Sequence, residues 1–200
     1  ATTVDLGFTN RNVLLANVNP AMQGYTRERS EEFFRRLRED LQQNPAVQSV
    51  AYTTAPPLGL GSSDRGISIP GYAESPGERM SIHLSLVSPG YFETLGIPLL
   101  SGRDFTDRDR DGAMPTIIVN QRFAETYWPD RDPIGRIVKV GRSESGTDHT
   151  VVGVVPTGKY RSLGEPPLAY MFLAQAQHWS SSVSVLVRTA TEPSAQIAAL

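Results

Sequence analysis

The strongest constraint on the fold of this 200-residue chain is a strand–helix–strand run near its start that is echoed near its end. Val13 to Val18 (VLLANV) is a mostly apolar run of strand length. From about Arg27 to Asn44 the spacing predicts a helix, with Phe33, Phe34, Leu37 and Leu41 on one stripe and charged residues elsewhere. Thr26 supplies an N-cap, Glu28 suits the positive end of the helix dipole, and Pro45 stops the run. Glu31 with Arg35, and Glu32 with Arg36, stand at i,i+4 on the wet side. A second strand is expected over Val47 to Thr54. Short links make the whole a βαβ unit or a split version of one. Val183 to Thr189 (VSVLVRT) repeats the strand signal, and Pro193 sets up a helix running to Leu200. This is the first two-thirds of a second such unit.

The intervening chain has a different character. Ala55 to Gly66 (APPLGLGSSDRG) is rich in Pro, Gly and Ser and marks a boundary or crossover. Strands are expected at Ile67 to Ile69 and Met80 to Val87. In the latter, Ser81, His83 and Ser85 alternate with Ile82, Leu84 and Leu86, which implies one wet and one buried face. A turn and short helix (Ser88 to Leu95), a strand near Ile97 to Leu100 and a charged loop follow. Thr116 to Val119 is a strand; Asn120 caps a short helix through Tyr127 that Pro129 closes. Arg136 to Val140 and His149 to Val155 form a hairpin, and Ala169 to Ala174 is a further strand. The expected fold class is α+β in two lobes. One lobe is a βαβ unit built from both chain ends (residues 10–57 plus 181–200), and the other is a β-rich insert (58–180).

Bulk chemistry removes several function classes. The formal charge is −2, with 19 basic against 21 acidic side chains, so there is no basic face to attract nucleic acid. The chain has no cysteine, which excludes disulfides, thiolate catalysis and cysteine-ligated clusters. No run reaches the ~18 apolar residues of a membrane helix. The chain opens at Ala1 without an initiator Met and stops at Leu200 inside an expected helix, so both ends read as boundaries within a longer protein.

Motifs that would carry chemistry are weak. His83, His149 and His178 are widely spaced, with no HxH or HExxH, and satisfied or surface roles are favoured over ligation. No GxSxG elbow supports a serine hydrolase, although triads assemble in space and spacing alone does not exclude one. Gly59-Leu60-Gly61 is no dinucleotide fingerprint, because Asp64 stands where a third glycine belongs, and no GxxxxGK[ST] loop occurs. The nearest metal candidate is Asp107, Asp109 and Asp111 followed by Gly112, the opening of an EF-hand loop. Its twelfth position, normally a bidentate Glu, is Ile118, and two arginines interrupt it, so an Asp-rich turn is the better reading. No catalytic residue and no cofactor are expected. Tyr25, Tyr72, Trp128 and Trp179 could serve an interface or simply be half-buried packing.

Three runs in order carry a resemblance: LVSPGYFETLGIPLLSGRDF (Leu86 to Phe105), IIVNQRFAETYWPDRDPIGRIVKVG (Ile117 to Gly141) and VVGVVPTGKYRSLGEPP (Val151 to Pro167). Together they resemble the periplasmic core domain of MacB-like ABC transporter permeases, nearest to the orphan permeases, over roughly 10 to 190. The resemblance implies a porter-like lobe and an inserted, sabre-like β-rich lobe on the extracytoplasmic side of a bacterial membrane. It implies membrane helices flanking the domain, one before it and three after it. It further implies a second permease protomer in a homodimer and a cytoplasmic ATPase as partners, with engagement of a periplasmic adaptor left open. The implied function is non-catalytic: transmission of ATP-driven conformational change and interaction with substrate or partner during export. The alternative is a periplasmic small-molecule or peptide-binding domain that uses the cleft between lobes.

Overall fold

The computed structural model describes residues 5–59, 63–141 and 146–191. Strand β1 (Val13–Val18) leads to helix α1 (Arg27–Gln42) and strand β2 (Val47–Thr53). Beyond them follow β3 (Ser63–Ser68), β4 (Ser81–Val87), α2 (Tyr91–Thr94), β5 (Ser101–Gly102), β6 (Thr116–Asn120) and α3 (Gln121–Tyr127). The chain continues through β7 (Ile137–Val140), β8 (Thr147–Val155), β9 (Tyr170–Ala174) and β10 (Val183–Thr189). The helix expected from Pro193 lies outside the described residues. No helix among the described residues is long and apolar enough to cross a membrane.

The first βαβ unit is split. Strand β10 runs antiparallel to both β1 and β2 and lies between them, with Leu15 opposite Leu186 and Leu186 opposite Ala51. Its run of five buried residues, Val183 to Val187, suits a central strand covered on both faces. Helix α1 starts as the sequence requires. The Thr26 hydroxyl accepts from the Arg29 amide at 3.4 Å, and the Ser30 hydroxyl donates to the Thr26 carbonyl at 2.8 Å. Its apolar stripe packs Phe34, Phe33, Leu37 and Leu41 on Val50, Tyr52, Val183, Val185 and Val187. Burial of a side chain such as Phe34 contributes about 1.5–3 kcal/mol. The Tyr52 hydroxyl adds a direct tie, donating to the Phe34 carbonyl at 2.6 Å. On the wet side Arg36 pairs with Glu32 as expected, whereas Arg35 pairs with Glu32 and Glu39 and leaves Glu31 to Arg27.

The remaining strands close on themselves. Pairings run β4–β3–β7–β8–β6–β9, and β9 pairs back with β4 in parallel. Closure into a small barrel leaves no free edge among these six strands. Its interior is filled by Ile67, Ile82, Leu84, Leu86, Ile117, Val119, Val138, Val140, Val151, Met171 and Leu173, and α3 packs Phe123 and Tyr127 into the same cluster. Trp128 belongs to this core and is buried, so it is not available to an interface; Tyr25, Tyr72 and Trp179 are half-buried.

A second core lies outside the barrel, where Tyr91, Phe92 and Leu95 meet Ala51, Leu186, Ile118, Tyr170 and Phe172. Tyr91 and Phe92 of α2 are each 1% exposed and act as a wedge between the barrel and the β1–β10–β2 layer. This cover corrects the expected wet face of β4. Ser81 is exposed, but Ser85 is buried, donating to the Ala55 carbonyl at 2.9 Å and lying 2.7 Å from the Tyr170 hydroxyl. The strand expected near Ile97 to Leu100 is displaced to Ser101–Gly102. Pro98 has no N–H to offer, and pairing with β8 begins only where the Leu100 amide reaches Val154 O at 2.8 Å. The β1–β10–β2 layer and the barrel belong to one sheet, joined where β2 meets β4 at the register pair Thr53 and Val87 and where the Thr54 amide reaches Leu86 O and the Ser88 amide reaches Tyr52 O, both at 3.0 Å.

Candidate functional site

One flank of α1, between its apolar stripe and its wet side, bounds an open groove of about 710 Å³ together with the 106–111 loop and the β9–β10 connector. Phe34, Tyr52 and Pro89 line it, with Arg38 and Arg110 as guanidiniums and Trp179 as an aromatic wall. Arg27 is its hinge point. It donates to Glu31 at 2.8 Å and to Asp111 at 3.0 Å, while its guanidinium lies 5.8 Å from the Trp179 ring centre. The Glu31 bond raises the Arg27 pKa, so this charge is permanent. Three distant segments thus meet at one side chain.

The three aspartates singled out in the sequence are placed differently from one another. Asp109 is 4% exposed and accepts two bonds from Arg103 (2.8 and 2.9 Å) and one from the Thr106 amide (2.7 Å). Burial pushes its carboxyl up, yet Arg103 and the Thr106 bonds outweigh that and hold it down at about 2. Asp111 faces Arg27, and Asp107 lines the groove. Among the described residues no group of three or more His, Asp or Glu side chains could hold a metal ion. The geometry is that of a turn stapled by Arg103. Nearby, burial raises the Asp104 pKa, opposed by bonds from the Phe105 and Gly90 amides.

Of the histidines, His83 lies 3.3 Å from an Arg161 nitrogen, while His149 and His178 face each other across 3.0 Å. None of the three hydrogen-bonds a serine hydroxyl among the described residues, so no triad assembles. The Arg27–Asp111–Trp179 junction and the histidine pair escaped the sequence reading because nothing in local periodicity links residues so far apart in the chain.

Residues 2–200 match the family described as the MacB-like periplasmic core domain. The chain belongs to that family. A search of curated proteins gave no match. Solved structures share the fold at low identity. The periplasmic region of MacB from Actinobacillus actinomycetemcomitans superposes with a TM-score of 0.62 at 15% identity, over 96% of this chain and 82% of that one. The extracellular domain of the noncanonic ABC-type transporter YknZ from Gram-positive bacteria gives 0.54 at 18% identity, over 94% and 88%. A domain of a putative permease protein from Porphyromonas gingivalis gives 0.53 at 16%, over 82% and 72%. This MacB-like domain is therefore an extracytoplasmic part of an ABC transporter permease, a class that works with an ATPase.

Proposed function

We propose that this MacB-like domain is a non-catalytic lever that transmits ATP-driven conformational change outward and contacts substrate or partner during export. It acts as two lobes, residues 10–57 plus 181–200 as the porter-like lobe and 58–180 as the insert. The carrying observation is the position of β10 between β1 and β2. Strands from both ends of the chain lie in one layer, so displacement of either flank acts on the same three strands. That layer joins the barrel through a short β2–β4 pairing around Thr53 and Val87 and through the α2 wedge, so movement of the layer is passed to the barrel at a narrow junction. Its partners are a second permease protomer, a cytoplasmic ATPase and, where the system has one, a periplasmic adaptor.

The test is a reversible lock. These 200 residues have no cysteine, so Arg27→Cys with Asp111→Cys, placed in a full-length permease with any cysteines elsewhere replaced, allows a selective cross-link between α1 and the 106–111 loop. Cross-linking is expected to stop export while ATP binding persists, with recovery on reduction. Export at the unlocked rate in the cross-linked protein overturns the lever.

The groove supports a second reading, a ligand-binding cleft, because interdomain clefts of this volume hold small molecules. Calorimetry of the chain against peptides, macrolides and lipids tests it; no heat with any class counts against it.

A further inference from the structure

His149 lies on β8 two residues from Val151, on the face that lines the barrel, and it is 1% exposed. Its Nδ1 lies 2.8 Å from the Thr147 carbonyl oxygen. A carbonyl only accepts, so Nδ1 carries the proton, and in the neutral ring Nε2 is left with a lone pair. That lone pair faces Nε2 of His178 at 3.0 Å, so His178 must donate. The ring planes are tilted by 20° and the centroids lie 5.2 Å apart. The centroid separation exceeds the N···N distance by close to twice the radius of an imidazole ring. The two rings therefore meet end to end, along one N–H···N axis. This alignment suits a shared proton; two nitrogens converging on a metal ion would be bent towards it.

His178 belongs to the connector between β9 and β10, which is tied down at successive residues. The Gln175 amide donates to Val87 O, and Gln177 Oε1 accepts from the Thr116 amide at 3.0 Å while Nε2 donates to Met114 O at 2.9 Å. Trp179 then meets Arg27 of α1. The connector is thus the strap that carries the chain from the barrel back to β10.

From this placement we infer that the His149–His178 pair is an acid-released latch, holding the β9–β10 connector on the end of the barrel while both rings are neutral. The charged groups facing the pair are Arg65 on β3 and Asp148 on β8, and Asp148 is itself within 3.9 Å of Lys139 on β7. Burial first, and then the Arg65 charge, disfavour protonation of the closed pair. His149 is lowered from its ordinary value and His178 is lowered to about 4 by burial, His149 and Arg65. Opening returns both rings to water, where histidine titrates near about 6.5. Below that value the open state therefore binds more protons than the closed one. Acidification shifts the population towards opening by as much as about 100-fold per pH unit while two protons are taken up. The extracytoplasmic position exposes this strap to ambient pH, which makes the latch a regulatory addition to the lever.

The test uses the full 200-residue chain. Hydrogen exchange at the Gln177 and His178 amides, both bonded to Ala174 O, reads opening of the connector. Between pH 6.5 and 5 their protection, corrected for intrinsic rate, is expected to fall more than tenfold relative to β9. In His178→Gln, whose amide can still donate to His149 but does not titrate, only His149 takes up a proton on opening, so that fall is expected to shrink to about its square root. Parallel loss of protection in both proteins overturns the latch. Ring nitrogen shifts of the unmutated chain give a second readout that does not depend on the variant folding. Neutral rings at pH 5.5, with His149 Nε2 unprotonated, are expected; titration of either ring in the native state near the ordinary histidine value overturns it.

Discussion

Arg27, at the first position of α1, reaches 84 residues along the chain to place its guanidinium 3.0 Å from the Asp111 carboxylate. Both side chains are well exposed, so the bond is screened by salt and adds little to stability. Its consequence is positional, because the same guanidinium lies beside Trp179. Arg27→Ala is expected to leave the urea midpoint nearly unchanged while shifting Trp179 fluorescence. Added salt should produce the same shift in the unmutated chain and none in the variant.

Asn120 carries much more weight. Its Oδ1 accepts from the Phe123 amide, capping α3, and from the Tyr170 amide, both at 3.0 Å; its Nδ2 donates to Leu168 O at 2.8 Å. The residue is fully buried. Asn120→Ala removes a cap and strands two amides and a carbonyl, at a cost of about 3 kcal/mol. Asn120→Asp keeps the acceptor but loses the donor, and should fall between the two in urea titration.

The sequence exposed this cap and most elements, because apolar period, N-caps and prolines act locally. Thr26, Asn120 and the Phe33–Leu41 stripe needed no tertiary context. Closure of the barrel was not legible, since β4 pairs with β9 across some ninety residues and strand patterns carry no partner label. Burial of Ser85 was hidden for the same reason: alternation on β4 predicted a wet face, but Ala55 and Tyr170 close over Ser85. At the site, Asp109 stood out by spacing, but its partner Arg103 turned the motif into a staple, and neither the Trp179 contact nor the histidine pair leaves any mark on a local pattern.

Asp109 predicts an acid step. Its carboxyl titrates at about 2 in the folded chain against 3.8 ordinarily, so the unfolded state binds the proton more readily. The stabilisation is therefore complete above the ordinary value and is lost as pH falls from about 4 towards 2. Asp109→Asn is expected to lower stability by about 2 kcal/mol at pH 7, by weakening the Arg103 and Thr106 bonds, and to flatten stability against pH in that window.

Gly102 tests the packing of β5 on β8. Its φ is +75°, and a Cβ there would lie 2.1 Å from Val152 O and 2.9 Å from Gly153 Cα, both backbone atoms that cannot move aside cheaply. Gly102→Ala should cost about 3 kcal/mol, whereas Gly90→Ala, at φ +80° but with open space around the added carbon, should cost only about 1 kcal/mol. Thermal unfolding of the two variants separates steric from conformational cost.

The lever itself is tested most directly by distance. Spin labels at Arg36→Cys on α1 and Glu125→Cys on α3, both exposed, report on the β1–β10–β2 layer and the barrel in the full-length permease. ATP binding is expected to move the distance distribution, and nucleotide release to restore it. Identical distributions in every nucleotide state, in a permease that is still exporting, would contradict the account.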